Sequence, residues 1–187
     1  MKKVLGLIAA AALIVPACAI LFACGAAATG AVEVRVTDPL PGNITSVNVT
    51  VDEIAIHRAG AGNESGWETI PIVVNGNVTA NVTFDLYRIV GNETVLGYAP
   101  SVPAGNYTQL RMHILSANVT IDGNTTDATV PSEWLKIVRP FEVVSGNTTT
   151  LVLDFDAAQS IVVTGAGDVK FLPVIRLEVW EPVGRPD

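Results

Sequence analysis

Residues 77–86 have the sequence NVTANVTFDL, in which polar and apolar side chains alternate at every step. Successive side chains of a β-strand point to opposite faces of the sheet, so this alternation predicts a strand with one buried and one solvent-facing side. The buried side is predicted to hold Val78, Ala80, Val82, Phe84 and Leu86. Asn75-Gly76, just before the stretch, is a two-residue hairpin signal and predicts pairing with residues 67–74.

The same alternation extends outward from this stretch, with interruptions of its phase. The valines of residues 47–51 share one phase and the isoleucines of residues 54–56 share the other. A β-bulge near Asp52-Glu53 would keep both sets buried. A similar slip separates the apolar residues of 110–114 from those of 117–121.

Turn signals divide the rest of the chain into further short strands. Asp122-Gly123 and the glycine pair of residues 165–167 both predict hairpin turns, and helical periodicity is almost absent outside a short turn at residues 131–134. We therefore predict an all-β fold, a single antiparallel β-sandwich of nine or ten strands. One domain is expected over residues 31–182, with residues 183–187 as a tail.

The first residues are typical of an export signal. A basic start, Met1-Lys2-Lys3, precedes an apolar run to residue 23, and residues 21–25 (LFACG) resemble a lipobox. Residues 1–23 are predicted to be a lipoprotein-type signal-peptide helix, removed before Cys24, which would carry lipid. Residues 24–30 would be a short tether that holds the domain at the extracellular face of the membrane. The alternatives are lipidation at Cys18 and an uncleaved membrane anchor.

The surface is predicted to carry N-glycans. Ten of the eleven asparagines begin an Asn-x-Ser/Thr sequon, and only Asn75 does not. The sequon residues are Asn43, Asn48, Asn63, Asn77, Asn81, Asn92, Asn106, Asn118, Asn124 and Asn147. The alternative is β-protein composition, because Thr favours strands and Asn favours turns. Glycosylation together with lipidation indicates an archaeal or similarly glycosylating envelope.

Composition excludes several classes of function. The formal net charge is −7, and removal of residues 1–23 takes away two lysines and no acid, so nucleic acid and anionic lipid are poor partners. The only cysteines are Cys18 and Cys24, which leaves no disulfide framework or thiolate site after cleavage. With two histidines and no Gly-x-Ser-x-Gly motif, we expect neither an enzyme nor a bound cofactor.

Charged residues alternate with core residues on three predicted strands, and they would meet if those strands were neighbours. They are Asp154, Asp156, Arg111, His113, Arg176 and Glu178. Cross-strand ion pairing is the first interpretation. A Ca²⁺ site at Asp154 and Asp156, with Asp38, is the second, although two carboxylates are few for this ion. A catalytic arrangement is the third, but equivalent strand positions do not give carboxylates different environments.

Three tryptophans, Trp67, Trp134 and Trp180, could form a sugar-binding platform if they were coplanar and exposed. The alternative is packing in the core or at a sheet edge.

Several ordered blocks resemble one known family. They are residues 37–39 (TDP), 47–51 (VNVTV), 56–57 (IH), 103–111 (PAGNYTQLR), 135–141 (LKIVRPF), 153–156 (LDFD) and 173–176 (PVIR). The chain resembles domain of unknown function 4382. The resemblance implies a secreted or lipid-anchored β-sandwich of prealbumin-like or immunoglobulin-like build, and no known activity.

The expected function is a non-catalytic, glycosylated surface lipoprotein with a role in envelope architecture, recognition or adhesion. Its partners would be the membrane, through the anchor, and a protein or polysaccharide of the envelope. One alternative is a Ca²⁺-dependent or accessory carbohydrate-binding module. Another is a fibre subunit assembled through strand edges.

Overall fold

The computed structural model describes residues 27–37, 44–89 and 93–180. The predicted signal peptide, residues 24–26 of the predicted tether with Cys24, Asp38, Asn43, Asn92 and the tail lie outside these ranges. Within them, no helix is long and apolar enough to cross a membrane.

The described chain is all-β, as predicted, but it has fourteen strands rather than the nine or ten predicted. They are β1 (Thr29–Thr37), β2 (Ile44–Arg58), β3 (Trp67–Thr69), β4 (Val73–Val74), β5 (Asn77–Val78), β6 (Val82–Asp85), β7 (Thr94–Pro103), β8 (Gly105–Ile121), β9 (Asn124–Ala128), β10 (Trp134–Val143), β11 (Thr148–Phe155), β12 (Ile161–Val163), β13 (Val169–Phe171) and β14 (Ile175–Trp180). A 3₁₀ turn spans Leu86–Arg88, and one short helix, α1, spans Ala157–Ser160. The predicted helical turn at residues 131–134 is wrong, because β10 begins at Trp134.

Two large sheets and two small ones hold these strands. The four-stranded sheet has the order β14-β11-β1-β7, and the six-stranded sheet has the order β10-β8-β2-β3, with β6 also on β2 and β9 also on β8. The small sheets are the hairpins β4-β5 and β12-β13.

The expectation of purely antiparallel pairing is wrong at β1. This strand pairs in parallel with β11, from Ala31 opposite Thr148 to Thr37 opposite Asp154. No hairpin turn joins these two strands, so local sequence does not set their relative direction.

One hydrophobic core is shared by the two large sheets. Val34 and Leu151 of the four-stranded sheet and Ile54 of the six-stranded sheet have no exposed surface and belong to the same buried cluster. The rings of Phe84 in β6 and Phe155 in β11 meet edge to face, with their centroids 6.2 Å apart. Each such side chain stabilises the fold by about 1.5–3 kcal/mol relative to an exposed one.

The predicted bulge in β2 is confirmed. The register of β2 against β8 shifts between Val51 and Glu53, so Val51 and Ile54 are both fully buried. A second shift, between Thr50 and Val51, leaves Leu115 of β8 as the extra residue, as the slip after residue 114 predicts. The first bulge also places two consecutive carboxylates, Asp52 and Glu53, toward the solvent face.

The stretch at residues 77–86 is only partly the predicted strand. Asn75 and Gly76 form the predicted turn, with φ of 51° and 79°, between β4 and β5. However, β5 ends at Val78, whose side chain is 74% exposed rather than buried. At Thr79 the backbone N–H donates to the Ile72 carbonyl and the hydroxyl donates to the Asn81 carbonyl, and β6 begins only at Val82.

The start of β1 lies two residues earlier than the predicted domain boundary. Thr29 and Gly30 pair with Pro103 and Val102 of β7 rather than forming a tether. A Cβ on Gly30 would lie 2.3 Å from the Val144 carbonyl oxygen, so only glycine fits at this crossing.

The β7–β8 connection is fixed by a buried tyrosine. The Tyr107 hydroxyl donates to the Pro103 carbonyl at 2.8 Å, and its ring stacks on Phe141 at 5.6 Å. Burial raises the pKa of Tyr107, which keeps the hydroxyl protonated as a donor.

Candidate functional site

The predicted charged face is divided between the two large sheets. Arg111 and His113 lie on β8 of the six-stranded sheet, whereas Asp154 lies on β11 and Arg176 on β14 of the four-stranded sheet. The condition that these strands be neighbours is therefore met only by β11 and β14.

On the solvent face of the six-stranded sheet, Arg111 is the centre of an aromatic–ionic cluster, formed by Asp52, Glu53, His57, Trp67, Arg111, His113, Glu133 and Trp134. Its guanidinium carbon lies 4.2 Å from the Trp67 ring centroid and 4.6 Å from that of Trp134. One guanidinium nitrogen donates to the Glu53 carboxylate at 2.8 Å. This is a cation held between two aromatic rings and an acid, an arrangement that stabilises the sheet face.

His113 continues the cluster toward β10. Its Nδ1 lies 2.6 Å from the Asp52 carboxylate, and its Nε2 lies 3.6 Å from Glu133. The hydrogen bond to Asp52 raises the pKa of His113, with partial burial acting in the opposite direction. The bulge in β2 makes both pairs possible, because it presents Asp52 to His113 and Glu53 to Arg111.

At the other end of the cluster, His57 lies beneath Trp67. The imidazole is 5% exposed, and its ring centroid is 4.7 Å from that of Trp67. Its Nε2 is 3.0 Å from the Gly62 carbonyl, which can only accept, so Nε2 carries the proton. Its Nδ1 has no hydrogen-bond partner in the described part of the chain.

Trp67, Trp134 and Trp180 do not form one platform, because they lie on two different sheets. Trp67 and Trp134 pack against Arg111 on the six-stranded sheet, which agrees with the packing alternative. Trp180 lies on β14 of the other sheet and is 50% exposed.

The two aspartates offered as calcium ligands have other partners. Asp156 caps α1 by accepting hydrogen bonds from the backbone and side-chain amides of Gln159. Asp154 lies opposite Arg176, and burial raises its pKa more than this arginine lowers it. Within the described ranges, no group of three acidic, histidine or cysteine side chains is placed to hold a metal ion.

Four residues that lie opposite one another on neighbouring strands form a row across the solvent face of the four-stranded sheet. The row has an exposed aromatic residue at each end. In strand order it comprises Trp180, Thr150, Glu33 and Tyr98. Trp180 is 50% exposed and Tyr98 is 38% exposed. Three inter-strand spacings of about 4.8 Å separate their backbones by about 14 Å. In the next row, Val152 is almost fully buried between Arg35 and Glu178.

Eight of the ten sequon asparagines lie in the described ranges, and none is buried. Six are exposed, namely Asn63, Asn77, Asn81, Asn106, Asn124 and Asn147. Asn48 and Asn118 are half-buried and lie directly opposite each other on β2 and β8. The side-chain amide of Asn118 also donates to Asp127 on β9.

The sequons are distributed unevenly between the sheets. Asn48, Asn106, Asn118 and Asn124 all lie on strands of the six-stranded sheet. None of the four strands of the other sheet contains an asparagine. The row from Trp180 to Tyr98 therefore crosses a face whose own strands offer no glycan acceptor.

Both outer strands of the four-stranded sheet have covered backbone groups. On β14, the Leu177 carbonyl accepts a hydrogen bond from the Arg139 guanidinium at 2.5 Å. On β7, the Tyr98 N–H donates to the Pro71 carbonyl, and Ile72 forms a bridge with Gly97. Such contacts make an edge a poorer template for another chain's strand.

A family model described as Domain of unknown function (DUF4382) matches residues 29–173. The chain belongs to this family. The match spans the DUF4382 domain from the start of β1 to beyond β13, so the resemblance noted in the sequence is confirmed. Comparison with curated protein sequences gives no match.

Among solved structures, the DUF4382 domain is similar to a crystal structure of a "putative cell adhesion protein" from Bacteroides fragilis, with 11% identity and a TM-score of 0.32. The alignment covers 85% of this chain and 47% of that one, so the domain spans about half the length of its structural relative. A TM-score this low carries no inference about function.

Sequence reasoning missed Tyr98 and the carboxylate partners of Arg111 and His113. The bulge predicted at Asp52-Glu53 could have indicated these carboxylates, because a bulge turns two consecutive side chains toward one face. Tyr98 had no comparable signal, since its row depends on the pairing of β7 with β1.

Proposed function

We propose that this DUF4382 domain is a non-catalytic, N-glycosylated and lipid-anchored module of the outer cell surface, which binds an envelope partner through the solvent face of its four-stranded sheet. The observation that carries the proposal is the distribution of sequons. Four acceptor asparagines lie on the strands of one large sheet, and none lies on the strands of the other. Bulky glycans would shield the first face and leave the second free for contact.

We also infer that the two large sheets are stacked as the layers of a single β-sandwich. The shared core and the contact between Phe84 and Phe155 support this arrangement. Each layer then has one solvent face, which gives the unequal sequon distribution its meaning.

The chemistry of the free face favours a polysaccharide as the partner. Trp180 and Tyr98 supply aromatic surface at the two ends of one row, and Thr150 and Glu33 between them supply a hydroxyl and a carboxylate. Sugar rings stack on aromatic faces and donate hydroxyl hydrogens to such groups. Arg35, in the neighbouring row, is already paired with Glu33 and Glu93, so it is not free to attract an anionic polymer.

The alternatives have less support. A calcium-dependent module would need ligands besides Asp154, which lies opposite Arg176, and Asp156, which accepts hydrogen bonds from Gln159. A fibre subunit would need a free strand edge, whereas Arg139 and Pro71 cover backbone groups on β14 and β7.

The test measures binding of the mature glycoprotein to polysaccharide prepared from its own envelope. Trp180→Ala and Tyr98→Ala should each weaken binding roughly 5- to 30-fold, the loss of about 1–2 kcal/mol for one aromatic contact. Tyr87→Ala is the matched control, because Tyr87 is similarly exposed but lies in the 3₁₀ turn beside the other sheet. Equal affinities for all four proteins would contradict the proposed face.

A further inference from the structure

A polar pocket lies beside Trp67, at the end of the aromatic–ionic cluster. The pocket has a volume of about 340 Å³. It is lined by His57, Asn63, Glu64, Trp67, Gln109 and Lys136. Apart from the indole ring, the lining offers an amide, a carboxylate, an ammonium group and an imidazole, so a polar ligand fits it better than an apolar one.

Asn63 is both a wall of this pocket and a glycan acceptor, since Asn63-Glu64-Ser65 is a sequon. The Trp67 indole N–H donates to the Asn63 backbone carbonyl at 3.0 Å, which fixes the indole next to the acceptor residue. The side chain of Asn63 is exposed, and its amide makes no hydrogen bond within the described ranges. A glycan attached there would begin at the mouth of the pocket.

We propose that the pocket is the seat of the first sugar of the chain's own N-glycan at Asn63. A sugar ring presents an apolar face for Trp67 and hydroxyls for the polar side chains around it. Gln109 and Lys136 come from β8 and β10, so the seated sugar would tie the loop of residues 59–66 to two strands of the six-stranded sheet.

His57 lines the pocket and has one ring nitrogen without a partner. Nε2 donates to the Gly62 carbonyl, and Nδ1 makes no hydrogen bond within the described residues. A ligand hydroxyl that reached Nδ1 would give it the partner it lacks.

Asn118 is a less suitable position for a glycan that packs against the protein. It also lines a cavity, but that cavity contains no aromatic side chain. The Asn118 amide already donates to Asp127. A glycan at Asn118 would therefore have no ring to stack on and would compete with an existing hydrogen bond.

This inference rests on the glycosylation in the proposed function, and the test separates the two. Asn63→Gln and wild-type full chains are produced in a glycosylating host and in a host that adds no N-glycans. Asn77→Gln is the matched control, because Asn77 is an exposed sequon residue of the β4–β5 hairpin and does not line this pocket.

In the glycosylated proteins, Asn63→Gln should lower Tm by about 2–4 °C, the scale expected for one lost aromatic contact. Asn77→Gln should leave Tm unchanged, and in the unglycosylated proteins both substitutions should have no effect. Hydrogen exchange of residues 59–66 should be slower in the glycosylated wild type than in its Asn63→Gln variant.

If Asn63→Gln does not lower Tm, glycopeptide mass spectrometry shows which of the two proposals fails. An occupied Asn63 with equal Tm values would overturn the seated glycan and leave the surface-module proposal intact. A bare Asn63 among other occupied sites would have the same meaning. A chain with no glycan at any asparagine would overturn both proposals.

Discussion

At the scale of single residues, Arg111 shows how the sheet face is stabilised. Its guanidinium lies between two indole rings and donates to Glu53, yet its Nε has no partner among the described residues. A planar cation can stack on both rings while one end of its fork binds the carboxylate, which an ammonium group cannot do.

Arg111→Lys should therefore lower the free energy of unfolding by about 1–2 kcal/mol, although the charge is kept. Chemical denaturation of the purified domain measures the change. Arg88→Lys is the control, because Arg88 is 86% exposed, and it should shift stability by less than about 0.5 kcal/mol. Equal effects of the two substitutions would mean that the stacking contributes nothing.

His113 gives the domain a predicted dependence of stability on pH. Its hydrogen bond to Asp52 raises the folded-state pKa above the ordinary value of 6.5. The contribution is therefore fully present below pH 6.5 and is lost as the pH rises through the folded-state pKa. Asp52→Asn should flatten this loss, as measured by denaturation at several pH values. An unchanged pH profile in Asp52→Asn would contradict the assignment.

At the scale of strands, the structure limits which sequons can be occupied in the folded protein. Asn48 and Asn118 lie directly opposite each other on β2 and β8, where Cβ atoms are about 4.5–5.5 Å apart. Two glycans cannot both leave the sheet from such neighbouring positions without crowding.

We expect folded molecules to carry a glycan at Asn48 or at Asn118, but not at both. The two sites lie on different strands and far apart in sequence, so one peptide does not report on both. The measurement is therefore the intact mass of the folded protein, compared between wild type, Asn48→Gln and Asn118→Gln. The two single variants should each carry as many glycans as the wild type. A loss of one glycan in both variants would show that the two sites are occupied together.

The strands also show which parts of the fold the sequence predicts and which it does not. The turns at Asn75-Gly76 and Asp122-Gly123 and the bulge after Val51 depend on local geometry. The Asn-Gly and Asp-Gly pairs indicated the turns, and the change in the phase of alternation indicated the bulge. The parallel pairing of β1 with β11 depends on contacts between residues far apart in sequence. Alternation alone does not carry that information.

In the candidate sites too, local sequence predicts which face of a strand a residue lies on, but not which strands are neighbours. The sequence correctly placed Arg111 and His113 on one strand face, and Asp154 opposite the face of the core residues. It could not show that β8 and β11 belong to different sheets, so it grouped residues that the fold separates. Trp180 and Tyr98 are 82 positions apart in the chain and share a row only because β11 and β1 lie between their strands.

At the scale of the whole molecule, the two large sheets are chemically unequal. One has four sequon asparagines on its strands and a cluster in which Arg111 stacks on Trp67 and Trp134. The other has no asparagine on its strands and two exposed aromatic residues in one row. The proposed function requires that glycans are present, because they turn this inequality into one shielded and one accessible face.

Intact and glycopeptide mass spectrometry of the protein isolated from its native membrane tests this account most directly. We predict a chain that begins at a lipid-bearing Cys24 and carries glycans at several exposed sequons, among them Asn63. An unmodified chain that retains residues 1–23 would contradict the account, because neither the anchor nor the shielding of one sheet would then exist.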